Sequence, residues 1–423
     1  MAAVQVLGLI GILLVIGFLA DYLFRKTGIP DILILIGLGF LIGPVFYIVN
    51  PSQLAPASQF VATLAIAIIL FDGGLNLHPG TILRTAHRAL FLVFLGIGIS
   101  MAATTAFAYY VLNWGFLNSL LLAAIVSGNS PSIVMPLVRR IKAPSEVTSL
   151  LNLESALNGA LVIVVALVIL EIMTIGTLDN NALATAAKAI SIKFFLGAVL
   201  GIVVGIPWLW LLTRLKNETY DDILTLGILF VLFFAVESIN GSGVIFALTF
   251  GLVLGNGIRI PRLLTVRRTI ETTEVMKKFH SQMSFFIKTF FFIYLGVIIT
   301  FNEPVLIILS LILSFLLLFS RYFAVLLSCV GNKLLLANSG LLTTMLPRGL
   351  SAAVMAQIVL TSGIPDASVY PDIIVAIILI TVIISAIGII ILGRQTYYEK
   401  TPKPTQQEGT NILENERGAG QQQ

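Results

Sequence analysis

From residue 2 to residue 393 the chain is a succession of long apolar runs, punctuated by short segments rich in charge, glycine or proline. Run length is the strongest constraint. A helix rises 1.5 Å per residue, so about 20 apolar residues cross the ~30 Å hydrocarbon of a bilayer. The runs predict thirteen spans, over residues 2–23, 31–49, 57–75, 89–112, 117–138, 147–173, 187–213, 222–238, 242–257, 281–300, 304–328, 338–361 and 371–393. Only 11% of the 423 residues are charged and 58% are hydrophobic, against ~25% charged in a soluble domain. Lipid is therefore the solvent, and the predicted fold class is an all-α polytopic membrane protein. Met1–Leu23 lacks the positive start and small-residue cleavage site of a signal peptide, so it is read as a retained first helix.

The charged segments set an orientation. Cytoplasmic loops carry the excess of lysine and arginine. One alternate set of loops, with the tail, holds twenty of the 25 basic residues: Arg25, Lys26, Arg84, Arg88, Arg139, Arg140, Lys142, Arg214, Lys216, Arg259, Arg262, Arg267, Arg268, Lys277, Lys278, Lys333, Arg394, Lys400, Lys403 and Arg417. The other set holds Lys188, with Lys193 close by. The N-terminus is expected outside and the C-terminus in the cytoplasm. Basic residues spread over so many segments are topological signals, so no nucleic-acid partner is expected. The polar tail, residues 394–423, cannot form a core and is expected to be disordered.

Other chemistry is sparse. The single cysteine, Cys329, excludes a disulfide scaffold, and His78, His87 and His280 show no metal-ligand spacing. No nucleophile–base pair or phosphate-binding glycine loop is recognisable, so an enzyme is not expected.

Two spans are broken near their middles, at Ser127-Gly128-Asn129-Ser130-Pro131-Ser132 and at Thr343-Thr344-Met345-Leu346-Pro347-Arg348-Gly349. Irregular backbone at membrane depth is tolerated only inside protein or beside a water-filled cavity. Paired interruptions at corresponding positions of two inverted halves are the sequence mark of a transporter site. Few charges lie deep in spans. Glu154 is ~10 Å from the cytoplasmic end of span six, and Arg321 is at nearly the same depth in span eleven. Alone, each would cost ~3 kcal/mol, so the two are expected to pair. Asn158 shares a helix face with Glu154. Glu154, Ser155, Asn158, Asn129 and Ser130 together form a candidate oxygen-lined ion site, with Arg321 and Arg348 balancing charge. Asp72, near the end of span three, is a candidate guard of a cytoplasmic entrance. Lys288 is expected to snorkel to the interface, and Asp21, Asp31, Glu171 and Glu237 to be solvated.

Several segments resemble the monovalent cation–proton antiporter superfamily, most closely its sodium/proton exchanger (NhaP-like) branch. They are Ile29-Pro30 with Gly37 and Leu41-Ile42-Gly43-Pro44, then Phe71-Asp72-Gly73-Gly74-Leu75-Asn76-Leu77, then Pro131. Glu154-Ser155, Asn158, Arg321 and Pro347-Arg348-Gly349 follow in order. The resemblance implies two inverted repeats with crossed discontinuous helices. Residues 1–75 and 222–300 would form a dimer scaffold, and 89–173 and 304–393 a mobile core, with 187–213 as linker. It also implies a homodimer in a prokaryotic plasma membrane that exchanges a monovalent cation, sodium above all, for protons without ATP or an organic cofactor.

Two departures bear on the chemistry. Asn129-Ser130-Pro131 stands where the family has Thr-Asp-Pro, and Asn158-Gly159 stands where it has Asn-Asp. The absent aspartate is the group that binds cation and proton in turn. Glu154, if held ionised by Arg321, is a poor replacement as a proton carrier. Alternatives therefore stay open: an anion or neutral solute as cargo, uncoupled cation movement, or a non-transporting partner or sensor.

Overall fold

A computed structural model describes residues 3–76, 82–141, 143–175, 180–214, 221–256, 274–299 and 304–398. Every regular element among them is helical. The first four are α1 (Ala3–Thr27), α2 (Asp31–Phe40, running into a π-helical turn, Leu41–Val45), α3 (Pro51–Asn76) and α4 (Ile82–Tyr110). The first broken span gives α5 (Phe116–Ser127) and α6 (Pro131–Arg140), followed by α7 (Ser145–Ile175) and α8 (Asn180–Arg214). Next come α9 (Asp221–Ser238), α10 (Gly243–Gly255), α11 (Glu274–Ile298) and α12 (Pro304–Cys329). The second broken span gives α13 (Lys333–Ala337), α14 (Ser339–Thr344) and α15 (Leu350–Thr361), and α16 is Val369–Tyr398.

Seven segments are long and apolar enough to cross a membrane on length and composition. Large apolar side chains such as Phe18, Phe94, Phe195 and Phe319 are exposed on α1, α4, α8 and α12, as lipid contact requires. Lys142, Lys216, Arg259, Arg262, Arg267, Arg268, Lys400, Lys403, Arg417 and His78 lie outside the described residues. The expected polar tail begins instead as helix, through Tyr398, and residues 399–423 also lie outside the described set.

The helices pack in two groups. In one, α10 packs on α3, α8 and α9, while α11 packs on α1, α2 and α3. In the other, α4, α5, α6, α7, α12, α14, α15 and α16 pack on one another. Contacts of α3 and α11 with α7 and α15 join the two.

Helices in lipid gain little from burying apolar surface, so association relies on close backbone approach through small residues. The first group shows this. A Cβ at Gly251 would overlap the Phe71 carbonyl, one at Gly255 the Leu75 carbonyl, and one at Gly74 the Leu248 carbonyl. Thus α3 and α10 touch backbone to backbone. Gly39 and Gly296 do the same between α2 and α11, and Gly197 meets the Ser242 carbonyl at the start of α10, while Gly201 of α8 makes room for the Thr249 side chain of α10. The four-residue spacing of Gly39/Gly43, Gly197/Gly201/Gly205 and Gly251/Gly255 was a readable signal in the sequence.

Three charge assignments need correction. Lys288 does not snorkel: its ammonium pairs with the Asp31 carboxylate, and both side chains are largely buried between α11 and α2. Asp31 is accordingly not solvated. Glu171 is half-buried and pairs with Lys193 at 2.7 Å. Glu237 is exposed, as expected, and its carboxylate also accepts the Gly243 backbone N–H at 2.7 Å, at the start of α10. In each case hydropathy fixes depth but not rotation about the helix axis, and rotation brings the partner into reach.

Candidate ion site at the helix crossing

Both breaks follow from proline. Pro131 has no N–H and fits only the first turn of a new helix. It also drives Ser130 into an extended conformation, φ −108° and ψ 120°. Gly128 is likewise extended at the end of α5. Pro347, which also lacks an N–H, lies in the break between α14 and α15, two residues before the Gly349 cap of α15. The two breaks meet. The Ser130 N–H donates to the Pro347 carbonyl at 3.0 Å. Any side chain at Gly349 would overlap Ser130, so that glycine permits the crossing.

The freed backbone is satisfied by side chains, as it must be at membrane depth. The Ser385 hydroxyl of α16 donates to the Thr344 carbonyl at 2.8 Å, and the Arg348 N–H donates to Thr381 Oγ1 at 3.1 Å. The Arg348 guanidinium, 2% exposed, donates from Nη1 to the Ser127 carbonyl at 3.0 Å. It thereby caps the carbonyl end of α5, where a cation is favoured by the helix dipole. Sequence reasoning missed Thr381 and Ser385. Their signal was a hydroxyl pair four residues apart in an otherwise apolar span.

Beside the crossing lies a closed cluster. Glu154 is fully buried and Arg321 is 5% exposed. The guanidinium grips the carboxylate at both ends, Nη1 to Oε1 at 2.7 Å and Nη2 to Oε2 at 3.0 Å. Its Nε donates to the Leu342 carbonyl at 2.9 Å. Asn129 Nδ2 donates to Glu154 Oε1 at 3.2 Å, and Asn158 Nδ2 donates to the same oxygen at 3.3 Å and to Asn129 Oδ1 at 2.8 Å. Both Glu154 oxygens are thus occupied by protein donors.

The crossing brings together Glu154, Asn129, Asn158, Arg321, Ser130 and Arg348. Ser155 is buried but turns away, donating to the Leu151 carbonyl of its own helix at 2.7 Å. Asp72 is half-buried near the end of α3, next to Gly73, which abuts Ala160 of α7.

Two further features mark α7 next to the cluster. Asn158 Oδ1 is buried and reached by no protein donor. Gly159 is buried, yet no atom lies within 4 Å of the position its Cβ would take, its own helix backbone and chain neighbours apart. That space lies on the face of α7 where Ser145, Ser149 and Asn152 are exposed and Ala156 is half-exposed. Ser132, Pro136, Arg139 and Arg140 are exposed along α6. Small and polar positions thus lead from the crossing toward the ends of α6 and α7.

Discontinuous helices crossing in a membrane around a buried polar cluster, with Glu154 and Arg321 paired in it, define a secondary transporter. Residues 10–394 match the transmembrane sodium/hydrogen exchanger family, and the chain belongs to that family. A K(+)/H(+) antiporter NhaP2 of Shewanella sp. (strain MR-4) is 27% identical over 408 residues, covering 94% of this chain and 68% of the relative. A probable Na(+)/H(+) antiporter 2 of Methanocaldococcus jannaschii is 26% identical over 305 residues, covering 70% of each. The fold is that of the sodium proton antiporter MjNhaP1 from the same archaeon, solved at pH 8. There the TM-score is 0.74 at 21% identity, over 93% of this chain and 97% of that one. The protein is an integral membrane transporter of this family.

Proposed function

We propose that the protein exchanges a monovalent cation, sodium or potassium, for protons across a prokaryotic plasma membrane, and that the cation is held at the crossing of α5/α6 with α14/α15. The observation that carries this reading is Asn158 Oδ1, a buried acceptor without a protein donor on the helix face of Glu154. Amide oxygens and carbonyls freed by helix breaks are the ligands transporters use for such ions. Asn129 and Ser130 complete the oxygen set. Glu154 and Arg321 act as positioning residues: the guanidinium holds the carboxylate, and the carboxylate holds both asparagine amides in place.

Ser145, Ser149 and Asn152, with Arg139 and Arg140, line the cytoplasmic approach, Asp72 stands at its mouth, and the N-terminus is outside. Arg140 donates to the Thr27 carbonyl at 3.4 Å, which sets two of the basic segments on one face. The helices α4–α7 and α12–α16 form the mobile unit, moving against a scaffold of α1–α3 and α9–α11 that forms a homodimer, with α8 as linker.

In vesicles loaded with a pH dye, sodium or potassium gradients are expected to drive proton movement. Gly159→Asp, which adds a carboxylate one residue from Asn158 where a Cβ meets no atom within 4 Å, is expected to raise that exchange. A folded protein that moves no protons under sodium, potassium or lithium gradients contradicts the reading.

The motion has a visible obstacle. Tyr294 of α11 donates its hydroxyl to Gln357 Oε1 of α15 at 2.7 Å, and Gln357 Nε2 donates to Ser58 Oγ of α3 at 2.9 Å. All three residues are buried. Sliding α15 past α3 and α11 breaks this chain, and an unmade buried hydrogen bond costs about 1–3 kcal/mol. Gln357→Leu is therefore expected to change the labelling rate of a cysteine placed at Asn152 by about 5- to 100-fold. Identical labelling with and without Gln357 would show that the chain does not cross a moving boundary.

A further inference from the structure

Charge is not balanced at the crossing. Among the described residues the buried carboxylates are Asp31 and Glu154, and each has its own cation, Lys288 and Arg321. Arg348 is buried too and makes no ion pair among the described residues; its guanidinium donates to the Ser127 carbonyl. Its Nε is buried and reaches no acceptor. The half-helix ends do not supply the missing charge. Two carbonyl ends, of α5 and α14, and two N–H ends, of α6 and α15, converge there, and their partial charges oppose one another. What remains is close to one positive charge inside the membrane, at a place proposed to receive another cation. A buried charge without a partner is strongly unfavourable, and guanidinium does not relieve this by losing its proton.

We propose that Arg348 binds a small inorganic anion, chloride in ordinary media, as a resident counter-ion of the crossing. The anion supplies the negative charge that a side chain at position 159 does not, and it thereby permits the cation to load. This rests on the exchange reading above and adds a ligand to the same site. The guanidinium suits the role, because one edge is engaged with Ser127 while Nε is left as a donor. The nearby Glu154 carboxylate is already taken by Arg321, so the Arg348 Nε is left as a donor for an anion. The anion stays bound through the cycle and is not carried.

The test uses the full chain, purified, with sodium chloride compared with sodium gluconate at equal ionic strength. Thermal unfolding should occur at higher temperature in chloride, and Arg348→Gln should remove the difference. In vesicles, cation-driven proton movement should fall about 5- to 100-fold in gluconate, the range expected when a buried charged group loses its partner. Gly159→Asp should keep its exchange in gluconate, since the carboxylate replaces the anion; this variant also serves if Arg348→Gln does not fold. Equal unfolding and equal flux in both salts overturn the proposal and leave the exchange reading standing. Chloride flux without any cation requirement also overturns it, because the anion is then cargo. If no cation moves protons in either salt, the exchange reading fails. The unfolding comparison then decides alone: a chloride effect lost in Arg348→Gln supports the anion site, and no effect removes it.

Discussion

In vesicles carrying Glu154→Gln, cation-driven proton movement is expected to fall by about 100-fold or more, and the purified protein to lose about 3–5 kcal/mol of stability. The cause is what the substitution leaves behind. Arg321 would keep its full charge in a site where it is 5% exposed, with only the Leu342 carbonyl and a neutral amide as partners. Asn129 and Asn158 would lose the oxygen that both donate to. Removing both charges together, in Glu154→Gln/Arg321→Gln, should restore part of the stability, because no uncompensated charge remains. It should not restore exchange, because the asparagines are no longer held by a carboxylate. Parent-like exchange in Glu154→Gln would remove Glu154 from the site.

The second large effect lies away from the crossing. Gly251→Val is expected to destabilise the protein by at least about 1–3 kcal/mol, as overpacking does. The new side chain would meet the backbone of Phe71 and Leu75, which has no rotamer to change. Gly227→Val is the control. Gly227 is exposed on α9, and nothing lies within 4 Å of its Cβ position, so unfolding should match the parent. Equal unfolding of the two variants would mean that α3 and α10 do not touch as described.

The two predictions differ in how readable their residues were. Glu154 and Arg321 stood out because nothing else ionisable lies so deep in their spans, and depth alone suggested a pair. Asp31 and Lys288 pair just as closely but were assigned to solvent, since each lies near a span end where water is a plausible partner. Gly251 lay in a recognisable four-residue spacing, but such spacings also occur where nothing is packed. Ser155 is the converse case. It sits beside Glu154 in sequence, which suggested a ligand, yet one residue is a turn of ~100° around a helix, and its hydroxyl meets its own backbone. Tyr294, Gln357 and Ser58 carried no local signal; single polar residues in apolar spans are common, and only packing shows that these three meet.

By itself the sequence determined that the chain is helical, where its apolar helices run, where two of them break, and which family it belongs to. These are local consequences of lipid as solvent: apolar length sets the span, and proline interrupts the backbone hydrogen bonds at identifiable positions. Tertiary structure alone decided which carboxylate meets which cation, which glycines are contact points, and that Arg348 meets no carboxylate among the described residues. Those outcomes depend on the rotation and separation of helices distant in sequence, which hydropathy does not encode.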